Sequence, residues 1–336
     1  MNRFKLVATA ACVAAGLFSL SAQAQNVVKI DGSSTVFPIS EAAAEDFQKL
    51  KKGAVKVTVG MSGTGGGFKK FCIADASLRT DVSNASRPIT TSEMAACKAA
   101  GVKYIELPVA FDALTVVVSK KNPLNSITVE ELKKMWEPAA QGQIKNWKQI
   151  NPAFPDAALK LYGPGTDSGT FEYFTEATVG KAKSSRGDYT ASEDDNVLVQ
   201  GVSRDVNGIG YFGYAYYAEN MDKLKALAIT PVGGKTAVLP SEKAVIDGTY
   251  NPLSRPIFIY VNAESAAKRP EVREFIEFYL KNAGKFSKEV KYVPLSDADY
   301  KHALDNFSKL RTGTAFGGHN EVGIKVSDLL KRDPKE

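Results

Sequence analysis

The chain has 336 residues, 44% hydrophobic and 24% charged, with a formal net charge of +6. This is ordinary globular material with ample apolar content for a core, and its length fits about two domains. The basic excess is mild and forms no concentrated arm, which argues against a nucleic-acid-binding role.

The first 24 residues read as a targeting segment. Arg3 and Lys5 precede an apolar run from Leu6 to Leu20, and Ala22-Gln23-Ala24 is a small-residue cleavage site. Cleavage after Ala24 is expected, giving a soluble periplasmic product that begins at Gln25. Cys12 is not placed for lipid attachment, because much of the apolar run follows it. No later apolar run reaches the ~20 residues of a membrane span. Without Arg3 and Lys5 the chain keeps 41 basic and 37 acidic residues, about +4. Cys72 and Cys97 then remain. In an oxidising compartment two cysteines are expected to pair, closing a loop of about 26 residues worth roughly 3 kcal/mol; two buried free thiols are the alternative. With only His302 and His319 in the chain, neither near the cysteines, no metal site is expected, and nothing in the chain calls for a cofactor.

In chain order, Asn26 to Asp31 reads as a strand ending in the turn GSSTVFP (Gly32 to Pro38), followed by a helix from Ile39 to Lys51. Val55 to Val59 alternates as a second strand and feeds SGTGGG (Ser62 to Gly67) and a short helix through Phe71. Val82 to Pro88 is a strand end or loop, and Thr91 to Ala100 a helix stopped by Gly101. Strand, Gly/Ser turn and helix in repetition is the rhythm of an α/β domain with a mostly parallel sheet. Tyr104 to Pro108 is followed by the long apolar stretch Val109 to Ser119, read as a crossing into a second lobe. Ile127 to Trp136 opens on a capping box, Thr128 with Glu131. Leu159 to Tyr162 is a strand leading into GPGTDSGT (Gly163 to Thr170) and the helix FEYFTEAT. A helix from Asp194 to Val202 and the aromatic run Ile209 to Tyr217 follow, then a strand from Leu227 to Val232. Ser254 to Asn262 is a second long apolar strand, read as crossing back. Pro270 to Lys281 is amphipathic with proline at its start. A helix from Ser296, a Gly-rich segment and a short C-terminal helix complete the chain. The expected fold is α/β and two-lobed, with mixed, mostly parallel sheets flanked by helices. Residues 25–112 and 255–336 form one lobe and 113–254 the other, with two hinge-crossing strands between them.

Three hydroxyl-rich turns, each before a helix, aim backbone N–H groups where the helix dipole is positive, which is the chemistry of an oxyanion site. Arg87 reads as a fork on two oxyanion oxygens, or else as a surface arginine or an ion pair with an acid such as Asp81. Asp167 reads either as a helix cap or as a cleft carboxylate that accepts a hydrogen from a protonated ligand, with Asp112 a second candidate. Arg186, Arg204 and Lys69 read as solvated. The run Tyr211 to Tyr217 is either core packing or a stacking surface. Catalysis finds little support: there is no nucleophile elbow, no Walker A loop and no dinucleotide fingerprint, and both histidines lie far from the hydroxyl turns in sequence.

The leader, GSSTVFP, SGTGGG, NASRP (Asn84 to Pro88) and GPGTDSGTFEYF, in this order, resemble the periplasmic phosphate-binding proteins of high-affinity phosphate ABC transporters. The resemblance spans essentially the whole mature chain. It implies a two-lobed periplasmic-binding-protein fold that holds inorganic phosphate between its lobes and delivers it, as a monomer, to a membrane permease. Carried over by motif, the ligand is met by Ser34, Thr35 and Val36, by Thr64 and Gly65 with Ser62 nearby, by Ser86 and Arg87, and by Ser168, Gly169 and Thr170. The best-known members have an aspartate where this chain has Arg87, and an arginine where it has Gly163 and Pro164. The resemblance therefore leaves the carboxylate that specifies phosphate unassigned, with Asp167 the candidate. Another tetrahedral oxyanion (sulfate, molybdate or a phosphonate) is the first alternative ligand, and a secreted phosphoesterase the second alternative function.

Overall fold

The structure is a computed structural model that describes residues 26–324 together with 328, 332, 334 and 335. The leader and its cleavage site, and the helix expected at the C-terminus, lie outside the described residues. Strand β1 (Asn26–Gly32) leads to α1 (Phe37–Leu50), β2 (Val55–Val59) to α2 (Gly63–Phe71), and β3 (Val82–Ala85) to α3 (Thr91–Ala99). The glycines of SGTGGG lie inside α2 rather than before it. A Cβ on Gly67 would stand 2.6 Å from the Gly32 Cα, so this bare helical face lets α2 press onto β1. β4 (Tyr104–Ala113) and β5 (Thr115–Ser119) divide the long apolar stretch at Leu114.

β6 (Ser126–Thr128) precedes α4 (Val129–Trp136), which starts on the expected capping box of Thr128 and Glu131. Then come α5 (Trp147–Ile150), β7 (Lys160–Gly163), α6 (Gly169–Val179), β8 (Thr190–Ala191), α7 (Asp195–Arg204), β9 (Gly208–Phe212) and α8 (Tyr214–Ala218). β10 (Leu224–Ala226), β11 (Ala228–Thr230) and α9 (Glu242–Ile246) lead to β12 (Ser254–Asn262), and α10 (Ala263–Lys268), α11 (Pro270–Glu289) and α12 (Asp297–Ser308) follow. α11 runs eight residues past the expected Lys281, because Ala283, Phe286 and Ser287 continue its buried face.

Two five-stranded sheets result, ordered β2-β1-β3-β12-β4 and β10-β5-β9-β7-β8. In each, four strands share one direction and one opposes them. The odd strand is β12 in the first sheet, antiparallel to β3 and β4, and β5 in the second, antiparallel to β9 and β10. Each odd strand adjoins a crossing. The main chain steps from the first sheet to the second at Leu114 and returns ahead of Ser254, and Leu114 N–H donates to Leu253 C=O at 2.9 Å. The two crossings are thus bonded side by side, as a hinge requires.

One core packs α1 and α11 against the first sheet, with Phe47, Phe275, Ile276 and Tyr279 fully buried. Burying each such side chain contributes about 1.5–3 kcal/mol. The aromatic run takes its core reading: Tyr211 stacks on Phe174 at 3.7 Å between ring centres and meets Trp136 edge-on at 5.0 Å. Cys72, at the end of α2, is disulfide-bonded to the buried Cys97 of α3. No helix among the described residues is long and apolar enough to cross a membrane.

Candidate functional site

The three turns meet. At the first, Gly32 takes a positive φ (136°) and a Cβ there would stand 2.3 Å from the Asn84 carbonyl oxygen, so glycine is required on both counts. Two phenols then fix the turn, with Tyr216 OH donating to Ser34 C=O at 2.9 Å and Tyr292 OH to Thr35 C=O at 2.8 Å. In a trans peptide the N–H points opposite to the C=O, so the N–H groups of Thr35 and Val36 face away from those phenols. Val36 is the N-cap of α1, and its side chain makes no capping bond.

At the second turn, Ser62 caps α2 by position, but its hydroxyl donates to Asp31 instead. Thr64 Oγ1 accepts from Ser86 N–H at 3.1 Å and lies 3.2 Å from Ser86 Oγ. At the third, Ser168 is the true N-cap of α6, accepting from the N–H groups of Thr170 (3.1 Å) and Phe171 (3.3 Å). Two contacts join the sheets' sides here: Gly65 N–H donates to Asp167 C=O at 2.7 Å, and the Thr35 and Thr170 hydroxyls lie 2.9 Å apart. Gly169 fits because it is bare; a Cβ would stand 2.4 Å from Thr64 Oγ1 and 2.7 Å from Ser86 Oγ. Ser34, Thr35, Val36, Thr64, Gly65, Ser86, Ser168, Gly169 and Thr170 therefore share one buried locus.

The cation at that locus is Arg255, which the sequence reading missed. Its Nη2 donates to Thr170 Oγ1 (2.8 Å), Thr35 Oγ1 (3.4 Å) and Asp112 Oδ2 (3.0 Å), and its Nη1 to Gly169 C=O (3.2 Å). The Arg255 guanidinium also lies 5.4 Å over the ring of Tyr173. Arg255 and Asp112 pair in register across β12 and β4. The available signal was a single opposite charge in each of two long apolar strands, which cannot be buried apart.

Arg87 and Asp167 occupy different places from those expected. The Arg87 guanidinium holds Glu93 in a fork, both bonds 2.8 Å. It also reaches Glu172 of α6 through Nη2 (2.9 Å) and Nε (2.8 Å). Two carboxylates hold its Nη groups, and Nη1 also donates to the Pro88 carbonyl at 3.0 Å, so it is an ion pair, though not with Asp81, which pairs with Arg269. Asp167 sits at the rim, ion-paired to the exposed Lys69 at 2.7 Å. It does not cap α6, since Ser168 does. Arg186 is buried rather than solvated, donating to the Met135 and Ile144 carbonyls and pairing with Asp188.

Two further acids line the junction. Burial pushes the Glu193 carboxyl up to about 7, beside Asp167, whose N–H donates to it at 3.2 Å. Burial likewise raises Asp195, the first residue of α7, to about 7. Among the described residues no group of histidine, cysteine, aspartate or glutamate could hold a metal ion.

A hinged pair of α/β lobes that pools hydroxyls and one guanidinium at their junction defines a two-lobed solute-binding protein. A family model described as a PBP superfamily domain matches residues 19–283. The chain is 55% identical to Protein SphX of Synechococcus elongatus, over 99% of this chain and 97% of that one. It is 39% identical to the phosphate-binding protein PstS of Staphylococcus saprophyticus, over 94% and 89% of the two chains. A substrate-binding protein assigned to a phosphate ABC transporter of Clostridium perfringens, solved with bound phosphate, superposes with a TM-score of 0.65 at 25% identity, covering 81% of this chain and all of that one. The chain belongs to the PBP superfamily, within its periplasmic phosphate-binding proteins.

Proposed function

We propose that this protein captures inorganic phosphate in the cleft between its lobes and delivers it to the permease of an ABC transporter. One observation carries the reading: four buried hydroxyls, of Thr35, Thr64, Ser86 and Thr170, gather where two sheets meet, with Arg255 bonded to two of them. Such donors replace the water shell of a tetrahedral anion, and a guanidinium supplies charge-assisted bonds. The phosphate-binding relatives support the choice of anion.

The ligand contacts are drawn from the hydroxyls and backbone N–H groups of Ser34, Thr35, Val36, Thr64, Ser86, Ser168, Gly169 and Thr170, together with Arg255, whereas the Gly65 N–H is held by Asp167 C=O. Arg87 acts on lobe closure rather than on the ligand. The lobes are residues 25–112 with 255–336, and 113–254. The mature chain begins at Gln25, works as a monomer and carries out no reaction on its ligand. Titration calorimetry with inorganic phosphate tests the reading, with one bound phosphate per chain expected. Sulfate or molybdate bound more tightly than phosphate would reassign the anion, and turnover of a chromogenic phosphate ester would replace binding by catalysis.

A further inference from the structure

A planar guanidinium serves a ligand only if its plane is held. Along its edges Arg255 is bonded to Asp112, the Gly169 carbonyl and the Thr35 and Thr170 hydroxyls. Its face lies over Tyr173 of α6, 5.4 Å from the ring centre. Tyr173 is fully buried, and its hydroxyl is tied on three sides. It reaches the Ser254 carbonyl at 2.7 Å and the Pro252 carbonyl at 2.9 Å, both at the return crossing, and accepts from the Gly323 N–H at 3.1 Å. Burial raises the phenol above its ordinary range, so it stays a donor.

Gly323 belongs to the segment beyond α12, which first secures itself on the first sheet. Gly313 N–H donates to Tyr104 C=O at 3.0 Å. The buried Glu106 of β4 accepts from Thr314 Oγ1 at 2.6 Å and from Ala315 N–H at 2.8 Å. Phe316 meets Phe258 of β12 edge-on at 5.4 Å. The chain then leaves this sheet. Asn320 Nδ2 donates to Glu176 of α6 at 2.8 Å, and a Cβ on Gly323 would stand 2.5 Å from Asn251, just ahead of the return crossing. Residues 313–324 are therefore fastened to β4 and β12 at one end and to α6 at the other.

We infer that residues 313–324 form a strap across the hinge and that Tyr173 is a positioning residue: held by the strap, its ring fixes the Arg255 guanidinium in the plane that meets phosphate. This deepens the phosphate reading and rests on it. On the proposed lobe division the strap is a third segment joining the lobes, and it ends on the residue beneath the ligand's cation. A loosened strap lets Tyr173 turn and Arg255 tilt. Affinity then falls although every group that touches the ligand is intact.

Calorimetric titration of inorganic phosphate into the mature protein tests this with two variants. Tyr173→Phe keeps the ring and removes the hydroxyl that ties it to the strap and the crossing. Asn320→Ala removes the bond to Glu176 from a half-buried position. Each is expected to bind phosphate about threefold more weakly or worse, the effect of one ordinary hydrogen bond. A double-mutant cycle with Arg255→Lys separates positioning from simple core packing. Acting through the guanidinium, Tyr173→Phe is expected to cost under about twofold once lysine has replaced the fork. Equal losses in both backgrounds overturn the positioning role, and full affinity in Asn320→Ala overturns the strap. Should a Tyr173→Phe protein fail to melt cooperatively, Asn320→Ala is taken through the same cycle, and equal losses there overturn the inference. A wild-type protein that binds no phosphate sinks the functional reading itself, and is thereby told apart from failure of the strap alone.

Discussion

Arg255 is buried to the same degree as the leucines around it, and Asp112 balances its charge at 3.0 Å. Arg255→Lys keeps the charge but loses the planar fork that spans Thr35, Thr170 and Gly169. Phosphate affinity is expected to fall at least tenfold in calorimetry while the protein stays folded. Arg255→Ala instead strands the Asp112 carboxylate, and should cost about 3–5 kcal/mol of stability in denaturant unfolding. Acidity follows from the same burial. The folded-state values of Asp195 and Glu193, both about 7, lie above the ordinary carboxylate range because the interior disfavours their charge. Such groups hold a proton in the folded state that the unfolded chain has released, so they weaken the fold as pH rises from about 4 through about 7. The melting temperature of the ligand-free protein is therefore expected to increase from pH 8 to pH 5.5; a rise in the opposite direction would show that these acids are not buried. Asp188, held at about 2 chiefly by its bond to Arg186, stays ionised throughout this window and does not contribute.

At the scale of elements, the N-terminus of α6 is the part whose position decides whether the site forms. Gly169 is there for clearance, and Gly169→Ala drives a Cβ into Thr64 Oγ1 and Ser86 Oγ. Those hydroxyls are held by each other and by the Ser86 N–H, so they cannot simply turn aside. The variant should melt within a few degrees of wild type yet lose at least tenfold in phosphate affinity. Full affinity would mean that α6 need not approach so closely. The disulfide acts on a different pair of elements, fastening the end of α2 to α3 across a separation of 25 residues. Replacing Cys72 and Cys97 by serine is expected to remove about 3 kcal/mol, by freeing the unfolded chain, and to lower the denaturant midpoint.

For the whole molecule, the Arg87 pair matters most, because Glu93 lies on the first-sheet side and Glu172 on α6. On the proposed lobe division the bond between Arg87 and Glu172 spans the two lobes, so on the proposed reading it holds them closed. Arg87→Ala is expected to weaken phosphate binding at least tenfold through faster dissociation, with association little changed, since closure follows encounter. Stopped-flow kinetics separates the two; a loss confined to the association rate would return Arg87 to the ligand. The hinge at Leu114 and Leu253 predicts a smaller radius of gyration with phosphate than without it in X-ray scattering. Identical curves would count against closure.

The sequence by itself determined what depends on near neighbours. Alternation and 3.6-residue periodicity marked the longer strands and helices, whereas the short elements α5, β8, β10, α9 and α10 and the last eight residues of α11 were not legible; Gly/Ser/Thr turns marked all three helix N-termini of the site. The capping box at Thr128 was legible because its partner is three residues away. Where the reading failed, the deciding partner was remote. Glu172 lies 85 residues from Arg87, and Thr170 lies 85 residues from Arg255. Ser34, which holds Asp195, lies 161 residues from it. The tertiary structure alone decided which cation faces the hydroxyls and which acids surround the arginines, because hydrogen bonds and buried charges are settled over a few ångströms of space, whatever the distance along the chain.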